Sequence, residues 1–209
     1  TYVITPALGD LAAANYAFAT FTDGVLTVGQ KALTVTADAK TKVYGAANPA
    51  LTATITGFAN GETLATSGVT GAASVTTTAT ALTGVGSATL TAAVGNLVSA
   101  NYAFTFTAGA LTITKAPLTV TANPVGRVYG AANPALTATL TGFVNGETLG
   151  TSGVTGTAAV TTTATLTSPA TTYVITPALG DLAAANSAFE TFTDGVLTVG
   201  QKALTITAN

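Results

Sequence analysis

Cysteine, histidine, methionine and tryptophan are absent from this sequence. Without cysteine there is no disulfide framework, no thiolate nucleophile and no thiolate-bound metal. Without histidine the commonest acid–base group and metal ligand is missing. The loss of the oxidation-prone side chains fits long exposure outside the cell. Charge is almost as scarce: six Lys+Arg and eight Asp+Glu in 209 residues leave a net charge of −2. No basic field exists to hold a phosphate backbone, which argues against nucleic acid as a partner and, for the same reason, against an anionic membrane surface. Long apolar runs are missing too. Hydrophobic residues make up 48% of the chain, but Thr and Gly interrupt them every few positions, and no stretch approaches the roughly 18 consecutive apolar residues of a spanning helix. No leader, lipidation or sorting motif is read here. The chain opens in the middle of a repeat, so such signals are expected, if anywhere, outside this segment.

What is present is alternation and repetition. Segments such as Leu33-Thr34-Val35-Thr36 and Leu111-Thr112-Ile113-Thr114 place Thr on the outward face of strands whose other face is apolar. Val43-Tyr44-Gly45-Ala46-Ala47-Asn48-Pro49-Ala50-Leu51-Thr52-Ala53-Thr54 returns, unchanged, 85 residues later from Val128 to Thr139, and Asn60-Gly61-Glu62-Thr63-Leu64 returns from Asn145 to Leu149. Asn101 matches Asn186 at the same offset. Residues 1–38 also match 172–209 at an offset of 171, differing only at Tyr16/Ser187, Ala19/Glu190, Val35/Ile206 and Asp38/Asn209. A fixed period of this size is the signature of a tandem array, here with a pair of domains as its longer unit. The expected organisation is the C-terminal part of one repeat over 1–30, complete repeats over 31–115 and 116–201, and the first strand of another over 202–209. The incomplete ends are expected to contribute strands to an inter-repeat or inter-chain contact.

Within 31–115, Gly, Asn-Pro and Asn-Gly breakers at short intervals predict strands near 33–37, 41–44, 51–56, 73–80, 87–93, 101–107 and 110–114. That pattern predicts an all-β fold of tandem Ig-like β-sandwich repeats of about 85 residues stacked end to end. Period two puts Leu33, Val35, Leu51, Ala53, Ile55, Ala88, Leu90, Tyr102, Phe104, Phe106, Leu111 and Ile113 on inward faces. The last two strands are expected to form a hairpin through Thr107-Ala108-Gly109, or through Asp23-Gly24 and Asp194-Gly195 in the other copies. A short helical turn is expected over 60–68, capped by Asn60, with Glu62 in its first turn and Gly68 at its end. That helix keeps a β-grasp-like α+β repeat as the alternative. Residues 17–21 (Ala-Phe-Ala-Thr-Phe) carry one residue more than 103–106, which a β-bulge would absorb. Linkers as short as Lys115-Ala116-Pro117 and Gly29-Gln30-Lys31-Ala32 leave consecutive domains little freedom to swing.

Candidate chemistry is thin. Asp23 and Asp194 fall in turns, Asp10 and Asp181 follow Gly in loops, and Glu62 and Glu147 belong to the helical turn, so structural roles are expected rather than paired acid–base catalysis. No two acids lie within three residues of each other, which argues against calcium. A Lys–Asn isopeptide bond would need Lys31 or Lys202 beside Asn48 or Asn133 with Glu62 or Glu147, but Ala116 replaces Lys31 in the second repeat. The Thr-x-Thr rows invite an ice-binding reading, yet twisted sandwich strands already account for them. No catalytic, cofactor-binding or metal-binding residue is assigned, and no enzyme is expected.

The ordered motifs Tyr44-Gly45, Asn48-Pro49-Ala50-Leu51, Gly57-Phe58-Ala59-Asn60-Gly61-Glu62-Thr63, Asn101-Tyr102-Ala103-Phe104 and Gly109 to Ala116 resemble the MBG repeats, of the Tyr-Gly-x type, of bacterial surface and secreted adhesins. Ser187 departs from the Asn-Tyr-x-Phe motif. The resemblance implies a tandem extracellular module and brings no catalytic residue. The expected function is a rigid spacer or assembly element of an adhesin stalk or filament. Its partners would be neighbouring repeats and other copies side by side or end to end. The alternative is an adhesive module binding a glycan, surface receptor or matrix protein. Binding faces favour exposed Trp, Tyr and Arg, and the Tyr residues here recur at repeat-equivalent positions.

Overall fold

The structure is a computed structural model that describes residues 1–208. It is all-β, with no helix among the described residues. In the first repeat the strands are β3 (Lys31–Ala37), β4 (Lys40–Val43), β5 (Ala53–Thr56), β6 (Ser74–Thr76), β7 (Gly86–Ala93), β8 (Tyr102–Thr107) and β9 (Gly109–Thr114). The second repeats them as β10 (Ala116–Ala122), β11 (Val125–Val128), β12 (Ala138–Thr141), β13 (Ala159–Thr162), β14 (Thr172–Ala178), β15 (Ser187–Thr193) and β16 (Gly195–Gly200). Residues 1–30 supply β1 (Tyr2–Ile4) and β2 (Gly24–Leu26).

Each repeat is a sandwich of a three-stranded sheet, in the order β5-β3-β8, and a four-stranded sheet, in the order β4-β9-β7-β6. The second repeat has the same orders, β12-β10-β15 and β11-β16-β14-β13. Between the sheets Leu33, Val35, Leu90 and Leu111 are completely buried and Ile113 nearly so, with Leu118, Val120, Ile175, Leu197 and Val199 as the second core. Each such side chain contributes about 1.5–3 kcal/mol on burial. Leu51, Ala53, Ile55, Ala88 and Phe104 pack at the core's margin. Phe106 shares the inward face of its register partner Val35 but stays 41% exposed. It lies on β8, an edge strand, where cover comes from one neighbour only.

The expected hairpin between the last two strands is not formed. β8 pairs in parallel with β3, and β9 in parallel with β4 and antiparallel with β7. At Ala108 the chain therefore crosses from one sheet to the other, alongside the crossing at Asp38-Ala39 between β3 and β4. Gly109 makes this possible, because a Cβ there would fall on the carbonyl of Ala37. Gly195 approaches Ala122 in the same way, so the Asp194-Gly195 step marks a sheet crossing.

The helical turn over 60–68 is also replaced. Asn60 and Gly61 have φ of 54° and 73°, and the Glu62 amide donates to Ala59 O at 2.8 Å. With both central residues at positive φ this is the primed turn that Asn-Gly favours. Asn60 is therefore not a helix cap, and a lone turn at Thr63–Ser67 follows. The β-grasp alternative falls with the helix. Residues 17–21 form no strand; the bulge stands at the equivalent positions of the second repeat, where Leu118 pairs with Phe189 and Thr119 with Thr191, skipping Glu190.

The incomplete ends add no strand to either sandwich. β1 and β2 pair with each other in the register Tyr2↔Leu26, Val3↔Val25, Ile4↔Gly24, copying Tyr173↔Leu197, Val174↔Val196 and Ile175↔Gly195 in the complete repeat. Local pairing persists, but burial does not: Ile4 is 55% exposed where Ile175 is 0%. Residues 202–208 contain no strand.

Candidate functional site: the junction between repeats

The features that distinguish this chain from two unconnected sandwiches lie where the repeats meet. Only Lys115 separates β9 from β10. Its Nζ donates to Ala184 O at 2.8 Å, and the Ala116 amide donates to Asn186 O at 3.0 Å. Ala116 is buried within the first repeat's core cluster, so the linker is part of the packed structure.

The first repeat presents the Tyr44-Gly45 step that follows β4, together with the 80–85 turn. The Tyr44 amide donates to Thr114 O and the Gly45 amide to Ala81 O, which fixes the step against the last strand and that turn. From the second repeat comes the primed turn Val144-Asn145-Gly146-Glu147, with Asn145 at φ 56°, and Asn186 just before β15. Tyr44 is 95% buried and its hydroxyl donates to Glu147 Oε1 at 2.5 Å. The Val85 amide donates to Asn186 Oδ1 at 3.0 Å, and Asn145 Nδ2 to Ala81 O at 3.4 Å. Accepting the hydroxyl on the Glu147 carboxylate, with burial adding, pushes the Tyr44 phenol above its usual range. Gly45, at φ 85°, packs so closely that a Cβ would lie 2.5 Å from Val144 Cγ2. The Tyr-Gly step is thus a knob, and the primed turn its socket.

The same elements at the outer faces have no counterpart among the described residues. Tyr129 is 44% exposed and nothing lies within 4 Å of a Cβ at Gly130. At the other end Lys31, Ala59, Asn60, Glu62, Asn101 and Tyr102 line an open recess of about 360 Å³. Here Glu62 is held within its own repeat: Tyr102 Oη donates to Glu62 Oε2 at 2.5 Å and accepts from the Ala59 amide at 2.9 Å.

The carboxylates considered above are scattered. Asp181 Oδ1 accepts the Thr157 amide at 2.7 Å and its hydroxyl at 3.1 Å, and Asp194 sits at a sheet crossing. Asp38, singled out by no motif, accepts the Thr52 and Thr54 hydroxyls at 2.5 and 2.7 Å. Lys31 and Asn48 stand at opposite ends of the first repeat. Asn48 and Asn133 instead donate to Ala79 O and Ala164 O, both at 2.7 Å, while the buried Lys42 Nζ donates to Ala46 O and Thr80 O. Sequence reasoning missed the Tyr44–Glu147 contact; the signal available was the repetition of a turn-forming Tyr-Gly beside a conserved-in-both-copies Asn-Gly-Glu.

No curated protein matches the chain. Residues 33–112 and 118–198 each match the MBG domain (YGX type), their Tyr44-Gly45 and Tyr129-Gly130 steps standing at the repeat ends, and the chain belongs to that family.

Proposed function

We propose that the chain is a structural segment of a long extracellular bacterial adhesin stalk or filament, in which docked repeats act as a rigid spacer. The observation that carries this reading is the junction: a one-residue linker combined with the buried Tyr44–Glu147 contact. A linker of that length removes most relative motion, and neighbour-to-neighbour docking builds a quasi-one-dimensional solenoid. Tandem MBG matches agree with an adhesin-like repeat segment. No helix among the described residues is long and apolar enough to cross a membrane. Further repeats docked end to end are the proposed partners.

Backbone ¹⁵N relaxation tests the reading. Residues 31–114 and 116–200 should share one anisotropic rotational diffusion tensor. Independent tumbling of the two repeats would overturn it, and saturable binding of the isolated chain to a glycan or matrix protein would favour the adhesive reading instead.

A further inference from the structure

We infer that the residue opening β8 and β15, Tyr102 in one repeat and Ser187 in the other, decides whether a repeat's glutamate is kept for itself or given to the tyrosine of the repeat before it. This rests on the docked-spacer reading and assigns the specificity of its junction.

The two repeats solve one problem twice. Each places a glutamate two residues beyond the asparagine of a primed turn, and each glutamate accepts one tyrosine hydroxyl at 2.5 Å. In the first repeat that tyrosine is Tyr102, which also receives the Ala59 amide and meets Phe58 edge-on, with ring centroids 5.9 Å apart. In the second repeat the equivalent position is Ser187, 4% exposed, whose short side chain cannot reach across. Glu147 instead takes the hydroxyl of Tyr44 from the preceding repeat. The neighbouring position changes in step: Ala59 becomes Val144, which packs on the first repeat's core cluster and against Gly45. Tyr102 with Ala59 makes a self-satisfied socket, whereas Ser187 with Val144 makes one that is completed only by an incoming Tyr-Gly knob. A buried hydrogen bond to a charged acceptor is worth more than a neutral one, so junctions in which the following repeat carries serine at this position are held more firmly by its glutamate. The position equivalent to Ser187 in residues 1–30 is Tyr16, so tyrosine stands at two of the three copies in this chain and serine at one.

Amide hydrogen exchange in the full chain reads the junction directly, because the Val85 amide donates across it to Asn186. In the unaltered chain Y44F should lower Val85 protection by about 10- to 140-fold, the loss expected for a hydrogen bond to a charged acceptor. In a V144A/S187Y background, which copies the Ala59–Tyr102 pair with which the first repeat already folds, Y44F should change protection by less than about twofold. S187Y alone, with Val144 retained, should behave in the same way. An equal effect of Y44F in both backgrounds overturns the inference, since the carboxylate would then hold both hydroxyls, one on each oxygen. Independent tumbling of the unaltered repeats would instead defeat the spacer reading; a shared tensor with unchanged Y44F sensitivity defeats this inference alone.

Discussion

Alanine at Gly45 and at Gly130 separates what a glycine does for its own turn from what it does for its neighbour. Both residues have the same local sequence and nearly the same backbone, φ 85° and φ 81°. Alanine at either therefore incurs a similar left-handed strain of about 1–2 kcal/mol. Around Gly130 a Cβ meets nothing within 4 Å, so the cost ends there. At Gly45 the Cβ would lie 2.5 Å from Val144 Cγ2 and 2.6 Å from Val144 Cβ. Valine is stiff about χ1 and cannot swing aside, so relief must come from backing the repeats apart. Overpacking of this kind costs about 1–3 kcal/mol, which at 1.4 kcal/mol per tenfold moves the docked–undocked equilibrium by about 5- to 150-fold. G45A should thus raise the exchange rate of the Val85 amide and loosen the coupled tumbling of the repeats, while G130A lowers the stability of the second repeat and leaves the junction untouched. V144A should remove most of the difference when combined with G45A, measured against V144A alone. Equal effects of G45A and G130A on Val85 exchange would refute the knob-and-socket reasoning.

Two further outcomes follow from named contacts. Hydrogen bonds from the Thr52 and then the Thr54 hydroxyl hold the Asp38 carboxyl below its usual value of 3.8, and the Thr157 amide and hydroxyl do the same for Asp181. A folded value below the unfolded one means stability present above about pH 4 and lost as pH falls through it. D38N/D181N, which places asparagine where Asn123 and Asn96 stand in the other repeat, should flatten the fall in urea midpoint between pH 5 and pH 2.5; an unchanged fall counts against these clamps. Limited digestion with a nonspecific protease should cut within residues 5–23 well before any bond of 31–200, because Ile4 and Leu26 are 55% and 51% exposed where Ile175 and Leu197 are buried; simultaneous cleavage of both regions would contradict this.

Much of the fold was legible because local rules and packing agree. All seven strands of the first repeat lie where breaker spacing and alternation predict them, and Leu33, Val35, Leu90, Leu111 and Ile113 face inward as period two requires. Errors arose where a local signal admits two outcomes. Asn60-Gly61 reads both as a cap and as a primed turn, and the turn prevails because both residues take positive φ. Thr107-Ala108-Gly109 reads as a hairpin, yet the parallel partners β3 and β4 claim β8 and β9, and pairing partners distant in sequence leave no local mark. The junction was least legible of all. Tyr44 and Glu147 are 103 residues apart, and nothing near either one shows that Ser187 has left the glutamate free.

The paired sheet crossings have a consequence for force. The chain enters each repeat through β3 and β4 and leaves through β9, and β4 lies parallel to β9 with Lys40, Thr41, Lys42 and Val43 facing Leu111, Thr112, Ile113 and Thr114. Tension along the array pulls these neighbours in opposite directions along their length, so the ladder is loaded in shear and its bonds must fail together instead of opening one at a time. In the second repeat Val125–Val128 and Leu197–Gly200 take the same load, with Gly109 and Gly195 as the points where each ribbon passes it from one sheet to the other.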